Sequence, residues 1–349
     1  MQKTFIFPSV FEENYRDYGK LANDFLEAIK IKNFKGKDYI IGEMAFKEGN
    51  SPHKFLNSSA EDLDYQLLGL IGLLIATQGT YSKLILTTGF PFTTYQAYKQ
   101  GSIDFFKDAH EVAFDSRILG GDSIEKARFS VAEVDVLTEV DGCIKAIRDG
   151  DIKEKDNFFI ASLGYGTFEI ALSAPSGLIF RTTHSSKGLI YAVNILENEL
   201  QKKYNLNLLT EQQIERGFQR GRMVINRKNI DLKELRKEAL RSYYTEVVSP
   251  AIRKKFTDED FYRAHKIYLV GGGAMYSELV ESFKEEFDGV LDILVAPDPN
   301  LMASRGYCLR SVEMAKQKIS MLDDKRSYVC VGLDLGNNNT VVTVNNEFD

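Results

Sequence analysis

Cysteine, histidine and surplus positive charge are all scarce in this chain. Its 349 residues hold three cysteines and four histidines. Cys143, Cys308 and Cys330 lie far apart in apolar or strand contexts, so they form no disulfide framework and read as reduced core thiols, as expected of a cytoplasmic protein. His53, His110, His184 and His265 show no metal-ligand spacing, which removes a histidine-based metal centre. The formal charge of −6 and a pI near 5.5 leave no broad basic face for direct nucleic-acid binding. The basic run Lys233–Arg241 alternates with acids and reads as a solvated helix face. No apolar run is long enough to cross a bilayer: Leu67–Ala76 is about half the necessary length and reads as a buried helix. The start, Met1 to Pro8, reads as a short strand rather than a signal peptide, and no membrane partner is expected. There is no Walker A sequence and no complete G-x-G-x-x-G, which excludes P-loop and Rossmann sites.

What is present is a strand–turn–strand segment near the end, Val329–Val344. Val, Leu and Thr fill its two arms, and Gly336, Asn337, Asn338 and Asn339 lie between them. Those four are expected to supply left-handed or turn conformations that let backbone N–H groups converge on an anion, with Thr340 leading into the second arm. Asp334 closes the first arm, where a carboxylate can hold a hydrated Mg²⁺ against nucleotide phosphates. A second copy runs from Phe158 to Leu172, with the same Leu-Gly step, then Gly164, Tyr165, Gly166 and Thr167. The chain therefore carries an internal repeat. A third segment, Lys266–Met275, is an apolar strand running into Gly271, Gly272, Gly273 and Ala274, where glycines permit close backbone approach to a base, ribose or phosphate, with a helix expected from Tyr276.

Two such hairpins with a strand–triple-glycine–helix segment resemble the phosphate 1, phosphate 2 and adenosine motifs of the actin, Hsp70 and sugar-kinase superfamily. Within it, Leu84–Tyr95 and Ala303–Tyr307 are similar to segments of plasmid-segregating bacterial actins of the ParM type. In that family phosphate 1 opens the chain, whereas here it closes it, so the order looks circularly permuted. Leu309, Val312, Ala315, Ile319 and Leu322 recur at helical spacing and would lead a last helix into the Tyr328 strand, with the new ends at Asn345–Asp349 and Met1–Thr4.

The resemblance implies an α/β, actin-like fold: duplicated ribonuclease-H-like domains about a central nucleotide cleft. Domain I would hold residues 1–155 and 305–349, and domain II residues 156–304. Strands are expected at Lys83–Thr88, Phe129–Leu137, Phe158–Leu163, Phe168–Ser173, Lys266–Val270, Leu291–Ala296, Val329–Leu335 and Val341–Val344, with helices between them. ATP or GTP with Mg²⁺ is the implied cofactor, held by Gly336–Thr340, Gly164–Thr167 and Gly271–Ala274, with Asp334 on the metal. Glu139 would orient the attacking water, with Asp141 as competitor and a helix beginning near Gly142. Gln219 and Arg220, on a helix beginning near Thr210, occupy the place where relatives touch ribose. Ser162 stands where the family has aspartate, which predicts that nucleotide binding survives and hydrolysis slows. The implied function is an ATPase that self-associates into filaments and moves plasmid DNA through a separate DNA-binding adaptor. Alternatives are a monomeric cleft enzyme of the sugar-kinase kind and a cell-shape or phage actin.

Overall fold

In the computed structural model, residues 2–54, 58–78, 82–204, 211–322 and 328–345 are described. The strands are Lys3–Pro8 (β1), Val10–Glu13 (β2), Ile29–Phe34 (β3), Lys37–Ile41 (β4), His53–Lys54 (β5), Ser82–Phe90 (β6), Asp108–Asp115 (β7), Ile124–Thr138 (β8), Phe158–Leu163 (β9), Thr167–Ala174 (β10), Gly177–Leu178 (β11), His184–Lys187 (β12), Arg222–Ile225 (β13), Lys228–Asp231 (β14), Lys266–Val270 (β15), Asp292–Val295 (β16), Val329–Leu335 (β17) and Asn339–Asn345 (β18). The α-helices are Glu43–Glu48 (α1), Leu63–Thr77 (α2), Phe92–Phe106 (α3), Glu139–Asp149 (α4), Ile190–Tyr204 (α5), Glu211–Arg220 (α6), Lys233–Tyr243 (α7), Ser249–Lys255 (α8), Asp258–Arg263 (α9), Ser277–Glu286 (α10) and Met302–Leu322 (α11). Contacts divide the chain into two compact units, residues 1–154 with 301–349, and residues 155–300.

Unit 1 is built on a sheet of order β1-β18-β17-β6-β8-β7-β3-β4-β2-β5. Its centre, β17-β6-β8, is parallel, and β1, β18 and β17 form an antiparallel meander. β17 and β6 are nearly continuous apolar runs, as expected of strands covered on both faces. One cover is α2, whose Leu67–Ala76 run is buried; the other includes α11. Gly306 of α11 lies so close to Gly142 of α4 that a Cβ would fall 1.7 Å from the Gly142 carbonyl oxygen. Tyr307, fully buried, fills the space above Gly89 and Gly142. The Ala303–Tyr307 segment is thus a helix-packing device.

Unit 2 has a sheet of order β11-β10-β9-β15-β16, with β12 also on β10, and a separate β13-β14 hairpin. β9-β15-β16 is parallel and β11-β10-β9 antiparallel. Its core joins Phe159, Ala161 and Leu163 of β9 with Val193, Leu196 and Leu200, which recur at helical spacing on one face of α5.

The five-strand patterns of the two units match. Unit 2 fills β9, β10, β11, β15 and β16 in chain order; unit 1 fills the equivalent places with β17, β18, β1, β6 and β8. Two expectations are corrected. Residues 29–34, 37–41 and 108–115, expected to lie among the helices between strands, are antiparallel strands: Ile29-Lys-Ile-Lys32 alternates apolar and charged residues, β3 turns back onto β4 as a hairpin, and β7 pairs with β8. The helix expected near Gly142 begins at Glu139, because Thr138 caps it. Of the left-handed or turn conformations expected of Gly336, Asn337, Asn338 and Asn339, the turn forms, without a left-handed residue. Leu335 faces Thr340, so four residues close the turn, a length commonly built without positive φ. Thr210, near which the sixth helix was expected to begin, lies outside the described residues, as do Met1 and 346–349.

Candidate functional site

The unit 2 hairpin is held from behind. Leu163 faces Phe168, and the Gly164 N–H donates to the Thr167 carbonyl at 2.9 Å. The three loop carbonyls are taken by the approach to α5: Leu189 N–H donates to Gly164 O at 3.0 Å, Ile190 to Tyr165 at 2.9 Å, and Gly188 to Gly166 at 3.1 Å. In a trans peptide the N–H points opposite to the C=O of the same plane. The amides of Tyr165, Gly166 and Thr167 therefore point away from α5, together, as an anion nest does. Gly188 is indispensable to this arrangement: a Cβ there would sit 2.5 Å from the carbonyl oxygens of Gly164 and Tyr165.

The triple glycine divides its labour. Gly271, at φ +82°, would place a Cβ 2.8 Å from Leu163 O, and Gly273 would place one 2.6 Å from the Leu163 Cβ. Those two let the turn pack against the end of β9, and Ala274 is buried beside them. Gly272 meets nothing within 4 Å, so it is the position open to a ligand.

The unit 1 hairpin has the same frame. Leu335 faces Thr340, and the Gly336 N–H donates to Asn339 O at 3.1 Å, matching the Gly164–Thr167 bond. Ser9 braces it: its N–H donates to Asn338 O at 3.0 Å, and its hydroxyl lies 2.9 Å from that of Thr340. Thr340 is fully buried and its hydroxyl is engaged by Ser9, while Asn339 is exposed and Asn337 nearly buried. At the end of β17, burial and the Glu139 carboxylate raise the Asp334 carboxyl well above the usual carboxylate range. Unit 1 thus brings Asp334 and Glu139 within electrostatic reach of each other. Asp141 does different work: it takes the Thr138 hydroxyl proton at 2.7 Å, while its N–H donates to the Thr138 oxygen at 3.1 Å, the reciprocal bonds of a helix cap. Burial raises its pKa.

The common register equates Asp334 with Ser162. Asp334 faces Val341, whereas Ser162 faces Glu169. The carboxylate has changed arms of the hairpin. Ser162 is 1% exposed and Glu169 fully buried, with Ser185 opposite it on β12. A glutamate inside the apolar run Phe168–Leu172 was the available signal for this residue. Gln219 and Arg220 are exposed at the end of α6. The α6 residue that reaches the loop is Glu215, which accepts the Tyr165 hydroxyl proton. Arg236 fixes the end of α6 through the carbonyls of Phe218 and Gln219 and pairs with Glu278 at 2.8 Å, its guanidinium 5.3 Å from the Tyr276 ring centre. Burial pushes the Tyr276 hydroxyl up to about 12.

Comparison with known families places residues 2–141 in the family described as actin like proteins, N-terminal domain, and residues 170–285 in that of the archaeal actin homologue MreB-like, C-terminal. A search of the curated proteins found no match. Among solved structures, the archaeal actin homologue Ta0583 is similar at 14% identity over 90% of this chain and 93% of that one, with a TM-score of 0.70. ParM from a 15-stranded Clostridium botulinum filament is similar at 18% identity, over 90% and 93%, with a TM-score of 0.67. The actin-like protein Alp7A is similar at 15% identity, over 91% and 93%, with a TM-score of 0.63. At these identities the likeness is one of fold.

Proposed function

The chain belongs to the actin-like proteins, and from that premise we propose that it is a nucleotide-dependent polymerising protein that binds and hydrolyses ATP, or GTP, with Mg²⁺. The observation that carries this is the pair of hairpins of identical register, one presenting the Tyr165–Thr167 amides and the other Asp334. Two of the similar structures, Ta0583 and a Bacillus thuringiensis ParM, are described with ADP and with ATP respectively.

The residues fit the cofactor. Burial and the Glu139 carboxylate disfavour the ionised form of Asp334, a conflict that a nearby cation relieves. Among the described residues no three acidic, histidine or cysteine side chains form a metal cage, so Asp334 would hold Mg²⁺ with the nucleotide's own phosphates. Bound there, the ion would neutralise phosphate charge as phosphoryl transfer to water proceeds. The nest of Tyr165, Gly166 and Thr167 amides binds phosphate oxygens, Gly336–Asn339 supplies the second loop, and Gly272 leaves room for the nucleoside. Glu139 orients the water and accepts its proton. Ser162 adds no charge there, which slows hydrolysis while leaving binding intact.

The chain order is a circular permutation in this proposal, with residues 1–155 and 305–349 as domain I and 156–304 as domain II. Unit 2 supports it, since its strands follow in chain order the path that unit 1 completes only by returning from β18 to β1. In β1 and β18 Lys3 faces Val344, so the two strands lie side by side near the proposed cut. Filaments would serve plasmid DNA segregation in the cytoplasm through a separate DNA-binding adaptor. Light scattering and pelleting of the purified protein with Mg²⁺ and ATP, GTP, ADP or no nucleotide, with microscopy of the pellet, tests it. Filaments that form only with nucleoside triphosphate are expected. A protein that binds nucleotide yet stays monomeric at high concentration would refute polymerisation and favour a monomeric enzyme.

A further inference from the structure

Charge is distributed unevenly along the chain. Residues 155–300 hold 20 basic and 20 acidic residues, so the whole surplus of −6 belongs to unit 1, with 24 against 30. Inside unit 2 the balance breaks again: residues 211–241, covering α6, the β13-β14 hairpin and α7, carry nine basic residues and five acidic ones. The hairpin is the sharpest part of this lobe. Met223, Ile225 and Ile230 turn inward onto the unit 2 core, while Arg222, Val224, Arg227 and Lys228 are exposed, Val224 to 63%. Arg222, Arg227 and Lys228 make no ion pair among the described residues.

The tip adds an independent observation. Ile225 faces Lys228, so the turn has two central residues, Asn226 at φ +48° and Arg227 at φ +65°. Two-residue turns of this kind favour Asn-Gly, because the second position is left-handed and a side chain there is strained. Arginine stands where glycine would be at ease. A strained conformation kept at an exposed tip points to use of the side chain it presents.

We propose that the β13-β14 hairpin, through Arg222, Arg227 and Lys228 around the exposed Val224, docks on unit 1, the part that carries the chain's net negative charge, of a second copy of this chain. The inference rests on the polymerisation reading and names a surface that carries it. Opposite charges on two parts of one chain favour a head-to-tail contact, the heterologous kind that extends without closing. Such a contact weakens with salt.

The test compares the full-length protein with Arg222→Glu/Arg227→Glu/Lys228→Glu, and separately with Arg227→Gly. Nucleotide binding, followed with a fluorescent ATP analogue, is expected to be unchanged in both. The triple variant should raise the critical concentration for assembly at least tenfold, and Arg227→Gly should raise Tm while raising the critical concentration, a trade-off that a merely structural arginine would not give. Val224→Cys carrying a photo-cross-linker should capture unit 1 peptides of a second copy. If the wild-type assembles and the triple variant assembles equally well, or the cross-links fall on unit 2, the docking surface is wrong while polymerisation stands. A wild-type that stays monomeric with every nucleotide overturns both. If the triple variant assembles normally but loses retention of duplex DNA shown by the wild-type, the hairpin is a nucleic-acid contact and the proposal is overturned.

Discussion

Replacing Ser162 with aspartate tests whether the two hairpins are chemically as well as geometrically equivalent. Ser162 faces Glu169 across β9 and β10, and both are buried. Residues directly opposite in an antiparallel pair have Cβ atoms about 4.5–5.5 Å apart. Two like charges about 5 Å apart repel by about 3 kcal/mol at an effective dielectric constant of about 20. Ser162→Asp should therefore lower Tm by about 10 °C without nucleotide or metal. The loss should shrink on acidification, since the introduced carboxyl, its pKa raised by Glu169 and by burial, is then neutral. Glu169→Gln in the same chain should remove the penalty, giving a coupling energy in a double-mutant cycle. Mg²⁺ with ATP should restore Tm, and phosphate release should rise at least about tenfold, below the about 10²–10³-fold that one group aimed at developing charge typically contributes. Scanning calorimetry with and without Mg-ATP, together with a phosphate-release assay, reads both effects. An unchanged Tm would show that positions 162 and 169 do not share an environment. Unchanged phosphate release would refute the view that serine there restrains hydrolysis.

Other substitutions separate scaffold from ligand positions. Gly188→Ala forces a methyl group against two loop carbonyls and should cost about 1–3 kcal/mol in urea unfolding, with nucleotide affinity falling further than Tm alone explains. Gly273→Ala, which meets Leu163 at 2.6 Å, should destabilise unit 2, whereas Gly272→Ala should leave Tm unchanged and weaken nucleotide binding; equal effects on both properties would contradict the division. Hydrogen bonding from Arg181 holds the Asp260 carboxyl at about 2, below its ordinary 3.8. That lowered pKa contributes about 2 kcal/mol above pH 4, lost as pH falls toward 2, so Asp260→Asn should flatten the acid limb of unfolding below pH 4.

The parts of this protein that were legible in sequence share a physical cause: their geometry is set by residues adjacent in the chain. β9, β15 and β17 run over the residues the sequence predicts because each is an apolar run stopped by glycine, and the Leu-Gly step recurs because both hairpins close with the same four-residue turn. Legibility fails wherever the partner is distant. Ser9 is an ordinary residue after a proline until β1 is laid beside β18, a pairing across nearly the whole chain that puts its hydroxyl on Thr340. Gly188 gives no local signal; only the three hydrogen bonds across to residues 164–166 show why a side chain cannot stand there. The strands β3, β4 and β7 pair mostly with chain neighbours, as the β3-β4 and β7-β8 hairpins, and Ile29–Lys32 alternates clearly, so their signal is local; only the joining of Ile31 and Lys32 to Phe114 and Ala113 lies beyond a local window. The same reasoning bears on the charge of this chain. A net of −6 describes unit 1 well and the 211–241 lobe not at all, so a whole-chain charge constrains partners only after the fold has said which residues stand together.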